Sequence, residues 1–160
     1  MTDKLPPLLD VDRIKFTKKI KSKKCAFDAL TELLTKGQSE VSKHEVFDAL
    51  IEREKLGNTA IGDGIAIPRA HLNITNPKAA LLIVKNGIDL NSADKKSIVV
   101  FLAILTPNDK RDVYSALIKR ITKKITTKER YSRKVLDDKI NSKNPELIAK
   151  FFESLFSDAD

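Results

Sequence analysis

Cysteine, tryptophan and histidine are scarce in this chain of 160 residues, which contains one, none and two of them respectively. The single Cys25 cannot form an internal disulfide, and His44 and His71 alone offer no ligand spacing for a structural metal. No apolar run approaches the roughly 18 residues of a membrane-spanning helix, and residues 1–12 lack the basic start and apolar core of a signal peptide. We therefore expect a cytoplasmic protein without metal or cofactor, in which Cys25 is a free, buried thiol.

Nothing in the sequence divides the chain into parts, since it has no internal repeat, low-complexity stretch or Gly/Ser linker. Its 41% hydrophobic and 32% charged residues are typical of an ordinary globular protein. A chain of this length buries roughly two-thirds of the surface that its unfolded form exposes, which is enough for a core of its own. We therefore predict a single domain over residues 1–160, with an ordered core from about 8 to 156.

The net charge of +8 is unevenly distributed along the chain. Residues 15–24 hold six lysines and no acid, and residues 110–134 hold ten basic residues against two acids. Such asymmetry favours an anionic partner, and it is compatible with a basic module that binds nucleic acid or a membrane surface. In both stretches, however, lysines alternate with apolar residues, as they do on amphipathic helices that bind no ligand. No recognised nucleic-acid-binding motif accompanies the charge, so we favour a solvated surface.

Helical periodicity predicts two helices in the first third of the chain. The first spans about 23–36, because its apolar residues recur every three or four positions and Gly37 is a suitable stop. The second begins at a capping box formed by Ser42 and Glu45 and ends near Leu56.

The remainder of the chain reads as a cluster of strands followed by three helices. Apolar runs rich in β-branched residues predict strands over 79–84 and 98–105, and a short strand near 11–16 precedes them. The last three helices are indicated by Val113 to Ile121, by a cap of Thr126 with Glu129, and by Asn144-Pro145. This order of elements predicts an α/β fold in which helices pack on both sides of a central mixed sheet.

Residues 57–68, GNTAIGDGIAIP, differ in composition from the rest of the chain, because they contain three glycines and a short apolar run. This composition predicts a backbone-constrained loop that leads into a strand, which on its own is an ordinary turn before a core strand. A nucleotide-binding loop is excluded, because Gly62 and Gly64 lead into a proline and a strand instead of a helix N-terminus.

The wider segment 47–72, FDALIEREKLGNTAIGDGIAIPRAHL, closely resembles the signature of enzyme IIA domains of bacterial phosphotransferase systems, in the fructose/mannitol and nitrogen-regulatory classes. The match runs without gaps through Glu52-Arg53-Glu54, Gly57, Thr59, Ile61-Gly62 and the stretch from Gly64 to Pro68. The later strands, including VVFLAILTPND at 99–109, fit the same family. The resemblance implies a three-layer α/β/α sandwich. It also implies a protein that takes a phosphoryl group from the small carrier HPr onto a histidine directly after that proline.

The chain departs from the family pattern at that acceptor position, where Pro68 is followed by Arg69 and a histidine comes only two positions later, at His71. A guanidinium group stays protonated and has no lone pair with which to attack phosphorus, whereas a neutral imidazole has one. In an extended segment, residues i and i+2 point to the same face, so His71 is expected roughly 6.5 Å from the family's acceptor site. Such a displacement is large for a reaction that depends on in-line positioning.

A second departure lies in the helix that follows, where relatives often carry another histidine. Counting seven residues from Pro107 leads to Tyr114, which donates a hydrogen bond but does not share a proton near pH 7. Arg53 matches the family's active-site arginine. We therefore expect Arg53, Thr59 and Arg69, with Tyr114 nearby, to form a pocket that holds an anion.

Simpler roles for the same residues remain open at this point. A salt bridge from Arg69 to one of three nearby acids is an equal alternative, as is an ordinary strand position for His71, while His44 is expected to be inert. The acids are Glu52, Glu54 and Asp63.

Three functions are therefore weighed. The leading hypothesis is a regulatory enzyme IIA-type protein that no longer carries phosphate and acts by binding a partner, either an HPr-like phosphocarrier or a regulated target protein. The alternative is an active phosphocarrier that accepts phosphate from HPr on His71. A basic module for nucleic acid or membrane surfaces is the third, and it rests on charge alone.

Overall fold

The part of the chain that the structure describes contains six strands and five α-helices, and two helices precede the strand cluster and three follow it, as predicted. The structure is a computed structural model, and it describes residues 8–157. The strands are β1 (Leu9–Thr17), β2 (Ala60–Gly62), β3 (Ile65–Ala66), β4 (Arg69–Leu72), β5 (Lys78–Ile88) and β6 (Ile98–Pro107). The helices are α1 (Lys23–Thr35), α2 (Lys43–Leu56), α3 (Arg111–Thr127), α4 (Arg133–Asn141) and α5 (Pro145–Phe156).

The sheet is built around β6. On one side β6 pairs antiparallel with β5, which in turn pairs parallel with β1. On its other side β6 pairs parallel with two short strands in succession, first β3 at Val100 and Phe101 and then β4 at 104–107. Strand β2 pairs antiparallel with β3. The predicted mixed sheet is therefore confirmed, and the single edge of β6 holds both β3 and β4 because Ile67 and Pro68 separate them.

Both faces of the sheet are covered by helices, which confirms the predicted three-layer α/β/α sandwich. Leu81 and Ile83 of β5 pack with α3, α4 and α5, whereas Leu82 and Val84 pack with α1 and α2. Successive side chains of a strand point to opposite faces, so a strand covered on both sides must be apolar throughout. This explains why β5 and β6 are continuous apolar runs in the sequence.

The starts of α2 and α5 follow the predicted capping chemistry. Ser42 accepts a hydrogen bond from the Glu45 N–H at 3.1 Å, and the Glu45 carboxylate accepts one from the Ser42 N–H at 3.1 Å. The capping box is thus confirmed. At α5, the side chain of Asn144 accepts hydrogen bonds from the first turn and Pro145 occupies its first position.

Two expectations about local structure are wrong. Thr126 does not begin the fourth helix, since it lies inside α3 and its hydroxyl donates to the Thr122 carbonyl oxygen at 2.8 Å. Helix α4 instead begins after Ser132, whose side chain accepts a hydrogen bond from the Val135 N–H. Cys25 is exposed, because it lies in the first turn of α1 on the face that points away from the sheet.

The glycine-rich segment forms a hairpin of β2 and β3 where the sequence predicted only a loop leading into a strand. Its turn consists of Gly62, Asp63 and Gly64, all with positive φ. The Gly64 carbonyl oxygen accepts hydrogen bonds from the N–H groups of Val99 and Val100, at 2.8 and 3.1 Å. The turn is therefore attached to the start of β6, which fixes the path of the chain into β4.

Candidate functional site

A cavity of about 520 Å³ opens where β4 meets α2 and α3, and we call it the anion cavity. Its wall is drawn from three elements that are distant in sequence. Helix α2 contributes Ala49, Glu52, Arg53 and Leu56, strand β4 contributes Arg69, Ala70 and His71, and helix α3 contributes Arg111, Ser115, Ile118 and Lys119.

Strand β4 places Arg69 and His71 in the same cavity. Ala70, between them, is buried against the α1 and α2 layer, while Arg69 and His71 are half-buried. The parallel register with β6 sets Arg69 beside Ile104 and His71 beside Thr106. The structure therefore gives the two side chains the shared face that the i, i+2 spacing predicts.

Arg53 reaches the cavity from the last turn of α2. One of its guanidinium nitrogens, Nη1, donates to the Gly57 carbonyl oxygen at 3.0 Å, just beyond the helix. A cation at this end of a helix is stabilised by the helix dipole. No residue within 8–157 accepts a hydrogen bond from the other N–H groups of Arg53, which leaves them available to a ligand.

Thr59 was expected to bind an anion, and the structure corrects this expectation. Its hydroxyl donates to Glu54 Oε1 at 2.7 Å and its N–H donates to Glu54 Oε2 at 3.2 Å. Glu54 is only 6% exposed and also pairs with Lys23 at 3.3 Å. Because its hydroxyl hydrogen is already committed and it does not line the cavity, Thr59 acts by holding the loop after α2 in place.

Arg69 forms no ion pair with any carboxylate in the described part of the chain. Its Nη1 donates to the Ile67 carbonyl oxygen at 3.1 Å. The three acids considered as partners are bound elsewhere: Glu52 pairs with Lys55, Glu54 with Lys23, and Asp63 with Lys96. The pKa of Arg69 is lowered, first by burial and then by repulsion from Arg53, and Glu54 only partly opposes this. The charge of Arg69 thus lacks a close counter-charge.

His71 is held at one ring nitrogen. Its Nδ1 lies 2.7 Å from Oγ1 of Thr106, which is fully buried and also lies 3.3 Å from the Ala70 carbonyl oxygen. If the Thr106 hydroxyl donates to that carbonyl, Nδ1 carries the ring hydrogen and Nε2 keeps its lone pair. Burial, Arg111 and Arg69 lower the pKa of His71, in that order, and so favour the neutral imidazole.

Helix α3 presents a different set of residues from the one expected. Tyr114 does not line the cavity; its ring packs against the core beneath α3, and burial raises its pKa. The cavity wall is formed by Arg111, Ser115 and Lys119, at i, i+4 and i+8 on the neighbouring face of the helix. In the sequence, Arg111 and Lys119 stand out only as part of a basic, solvated surface, so their place in the cavity wall was not predicted. The spacing of four residues between Arg111, Ser115 and Lys119 could have indicated that they share one face of the helix.

The remaining histidine and two of the six lysines of residues 15–24 have other partners. His44 is exposed, pairs with Asp48 at 3.1 Å and does not line the cavity. Lys23 and Lys24 pair with Glu54 and Asp28.

The anion cavity is therefore strongly cationic. Four basic side chains line it, and its one acidic residue, Glu52, is paired with Lys55. Guanidinium groups bind carboxylates and phosphates through two parallel hydrogen bonds, and closely spaced cations repel unless an anion lies between them. Leu56, which is 85% exposed, adds an apolar patch at the rim. Of the helices described, none is long and apolar enough to cross a membrane.

Comparison with known proteins agrees with this architecture. Residues 7–154 match the family described as "Phosphoenolpyruvate-dependent sugar phosphotransferase system, EIIA 2". The chain is 30% identical over 143 residues to a "Nitrogen regulatory protein homolog" of Haemophilus influenzae. The aligned region covers 84% of this chain and 87% of that protein.

Two solved structures show the same fold. Nitrogen regulatory protein IIA-Ntr from Neisseria meningitidis has a TM-score of 0.73 at 21% identity, covering 94% of this chain and 97% of that one. Enzyme IIA of the mannitol system from Escherichia coli, in complex with phosphorylated enzyme IIB, has a TM-score of 0.59 at 20% identity, covering 89% of this chain and 99% of that one.

Proposed function

Because the chain belongs to the EIIA 2 family of the phosphoenolpyruvate-dependent sugar phosphotransferase system, we propose that it is a regulatory IIA-type protein that binds a partner and carries no phosphoryl group of its own. One observation carries this proposal. Arg69 stands directly after Pro68 and lines the anion cavity together with Arg53 and Arg111. No carboxylate in residues 8–157 forms an ion pair with any of these three arginines.

The chemistry of arginine explains why such a cavity would bind phosphate and not receive it covalently. A phosphoryl acceptor must offer a lone pair in line with the leaving group, and a protonated guanidinium offers none. Its donors are instead arranged to hold phosphate or carboxylate oxygens in pairs. Arg69 therefore replaces a covalent bond to phosphorus with hydrogen bonds to oxygen.

The partner fits the same chemistry. A solved relative of this fold is the mannitol enzyme IIA bound to a phosphorylated protein. We infer that the partner of this chain is an HPr-like phosphocarrier or a regulated target protein that presents a phosphorylated or acidic side chain to the anion cavity. The exposed Leu56 at the rim would then contact the apolar surface around that side chain.

A second candidate function rests on His71. Its imidazole is neutral and Nδ1 is held by Thr106, and Nε2 forms no hydrogen bond to any residue within 8–157. A neutral imidazole fixed in this way is a competent nucleophile toward phosphorus. Against it stands the displacement of His71 by two residues along β4 from the family's acceptor position, which would require the donor protein to dock differently.

Inorganic phosphate should raise the pKa of His71. The pKa is lowered by burial and by the charges of Arg111 and Arg69, so an anion that offsets these charges favours the protonated imidazole. NMR titration of the ring nitrogens, with and without phosphate at constant ionic strength, measures the change. Arg111→Gln should raise the pKa of His71 even without phosphate and reduce the further rise that phosphate causes.

His44 supplies an internal control in the same spectra, because it lies outside the anion cavity. Its signals should not respond to phosphate. A pKa of His71 that is the same with and without phosphate, or an equal response of both histidines, would contradict an anion site at Arg69 and Arg111.

A further inference from the structure

A second groove, of about 630 Å³, lies at the opposite end of the sheet, and we call it the distal groove. Its floor is apolar and consists of Phe16, Ile83, Val99 and Ile140, from β1, β5, β6 and α4. Val99 is at the start of β6, whereas His71 pairs with Thr106 near its end. Seven residues of strand correspond to about 20 Å, so the distal groove is separate from the anion cavity.

The groove lies where the ends of β1 and β5 run beside the C-terminal end of α4. The two strands are parallel and in register, with Phe16 beside Ile83 and Thr17 beside Val84. Their pairing continues one step further, where the Asn86 N–H donates to the Lys18 carbonyl oxygen at 3.0 Å. Because side chains two residues apart share a face, Lys18 and Lys85 come side by side just beyond Phe16 and Ile83.

Three lysines surround the groove without partners. Lys18, Lys85 and Lys143 line it and are exposed, and no side chain within residues 8–157 forms an ion pair or hydrogen bond with their ammonium groups. Like charges on adjacent strands destabilise a sheet unless something offsets them. The carboxylate of Asp137, which also lines the groove, is bound by Arg133 Nε at 2.7 Å. The cluster is therefore complementary to an anion from outside the chain.

Phe16 adds an aromatic surface to this charge. It is 38% exposed on β1, the edge strand of the sheet. The side-chain amide of Asn141 also lines the groove and has no hydrogen-bond partner among the described residues. An aromatic face, an amide and three ammonium groups around one groove match a ligand with a flat ring, polar ring edges and several phosphates.

We propose that the distal groove binds a nucleotide, with its phosphates at Lys18, Lys85 and Lys143 and its base stacked on Phe16. The volume of the groove is within the range of about 300–1,000 Å³ that small-molecule sites occupy. The site does not depend on the proposed role of the anion cavity. The chain would then have two binding sites, one for a nucleotide in the distal groove and one for a partner protein at the anion cavity, at opposite ends of the sheet.

Calorimetric titration of the whole chain with ATP, adenosine and tripolyphosphate at physiological salt tests this proposal. ATP should bind more tightly than either fragment, because only ATP engages both the lysines and Phe16. Phe16→Leu keeps an apolar side chain but removes the ring, and it should weaken ATP binding about tenfold or more while leaving tripolyphosphate binding unchanged. Replacing Lys18 and Lys85 together by glutamine should weaken both ligands at least about tenfold.

Lys150→Gln is the matched control, since it removes one charge from an exposed position of α5 outside the groove. ATP binding that is absent, or no tighter than tripolyphosphate binding, would overturn the proposal. Equal weakening by Lys150→Gln would show an unspecific charge effect. Loss of ATP binding in Arg69→Gln with full binding in the Lys18 and Lys85 double variant would place the nucleotide in the anion cavity.

Discussion

Replacing Arg69 by histidine should turn a chain that, as we propose, accepts no phosphoryl group into a phosphoryl acceptor. The change places an imidazole directly after Pro68, on the strand face that opens into the anion cavity beside Arg53. The phosphorylated fraction should then exceed the background signal of the unchanged protein, which should accept no phosphoryl group, at least about a hundredfold, since correct positioning of the reacting atom governs the rate. The measurement is the acid-labile gain of mass after incubation with phosphoenolpyruvate, enzyme I and HPr.

Arg69→Gln is the control for this experiment, because it removes the same charge without adding an imidazole. It should accept no phosphoryl group, and equal phosphorylation of the two variants would show that the loss of the arginine, and not the gain of a histidine, matters. A second imidazole should help only from a position that lines the cavity. Ser115→His combined with Arg69→His should be faster than Arg69→His alone, whereas adding Tyr114→His should not.

Gly64→Ala should lower the free energy of unfolding by about 3 kcal/mol, and the melting temperature by roughly 6–12 °C for a domain of this size. Gly64 has φ of +75°, where an L-residue is strained. An added Cβ would lie 2.9 Å from the Ser97 carbonyl oxygen and 2.6 Å from Arg133 Nη1, a group that donates to the Asp63 carbonyl oxygen. Thermal and denaturant unfolding measure the loss.

Gly57→Ala is the matched control for the backbone argument. Gly57 has φ of 166°, which is extended backbone open to any residue, and an added Cβ there would meet nothing within 4 Å. The free energy of unfolding should stay the same or rise by less than about 1 kcal/mol, because alanine restricts the unfolded chain. Equal destabilisation by both substitutions would contradict the role assigned to the Gly64 turn.

The sequence predicted the layers of the fold well, because periodicity and capping depend on local chemistry. Ser42 with Glu45 and Asn144 with Pro145 set the helix starts regardless of what packs above them. Thr126 with Glu129 has the same pattern, yet α3 runs through it. There the apolar contacts of α3 with the sheet continue the helix, so tertiary packing overrides a local cap.

The candidate site was predicted only where residues are close in sequence. Arg69 and His71 are two positions apart in one strand, so the strand period alone predicts that they share a face. Which residues of α3 face the cavity depends on how that helix is rotated about its own axis. Neighbouring residues of a helix point in directions about 100° apart, so an error of one position selects a different face. Counting from Pro107 therefore gave Tyr114, and the cavity instead contains Arg111 and Ser115. For Thr59, the unforeseen factor was the buried carboxylate of Glu54.

The most direct test of the proposed function is the mass of the unaltered protein after incubation with phosphoenolpyruvate, enzyme I and HPr. Because we propose that Arg69 takes the acceptor position, and His71 lies two residues further along β4, we expect no acid-labile gain of mass, while an enzyme IIA with an intact acceptor gains it in the same mixture. A gain of mass in the unaltered protein that disappears in His71→Ala would contradict the account and identify His71 as the acceptor.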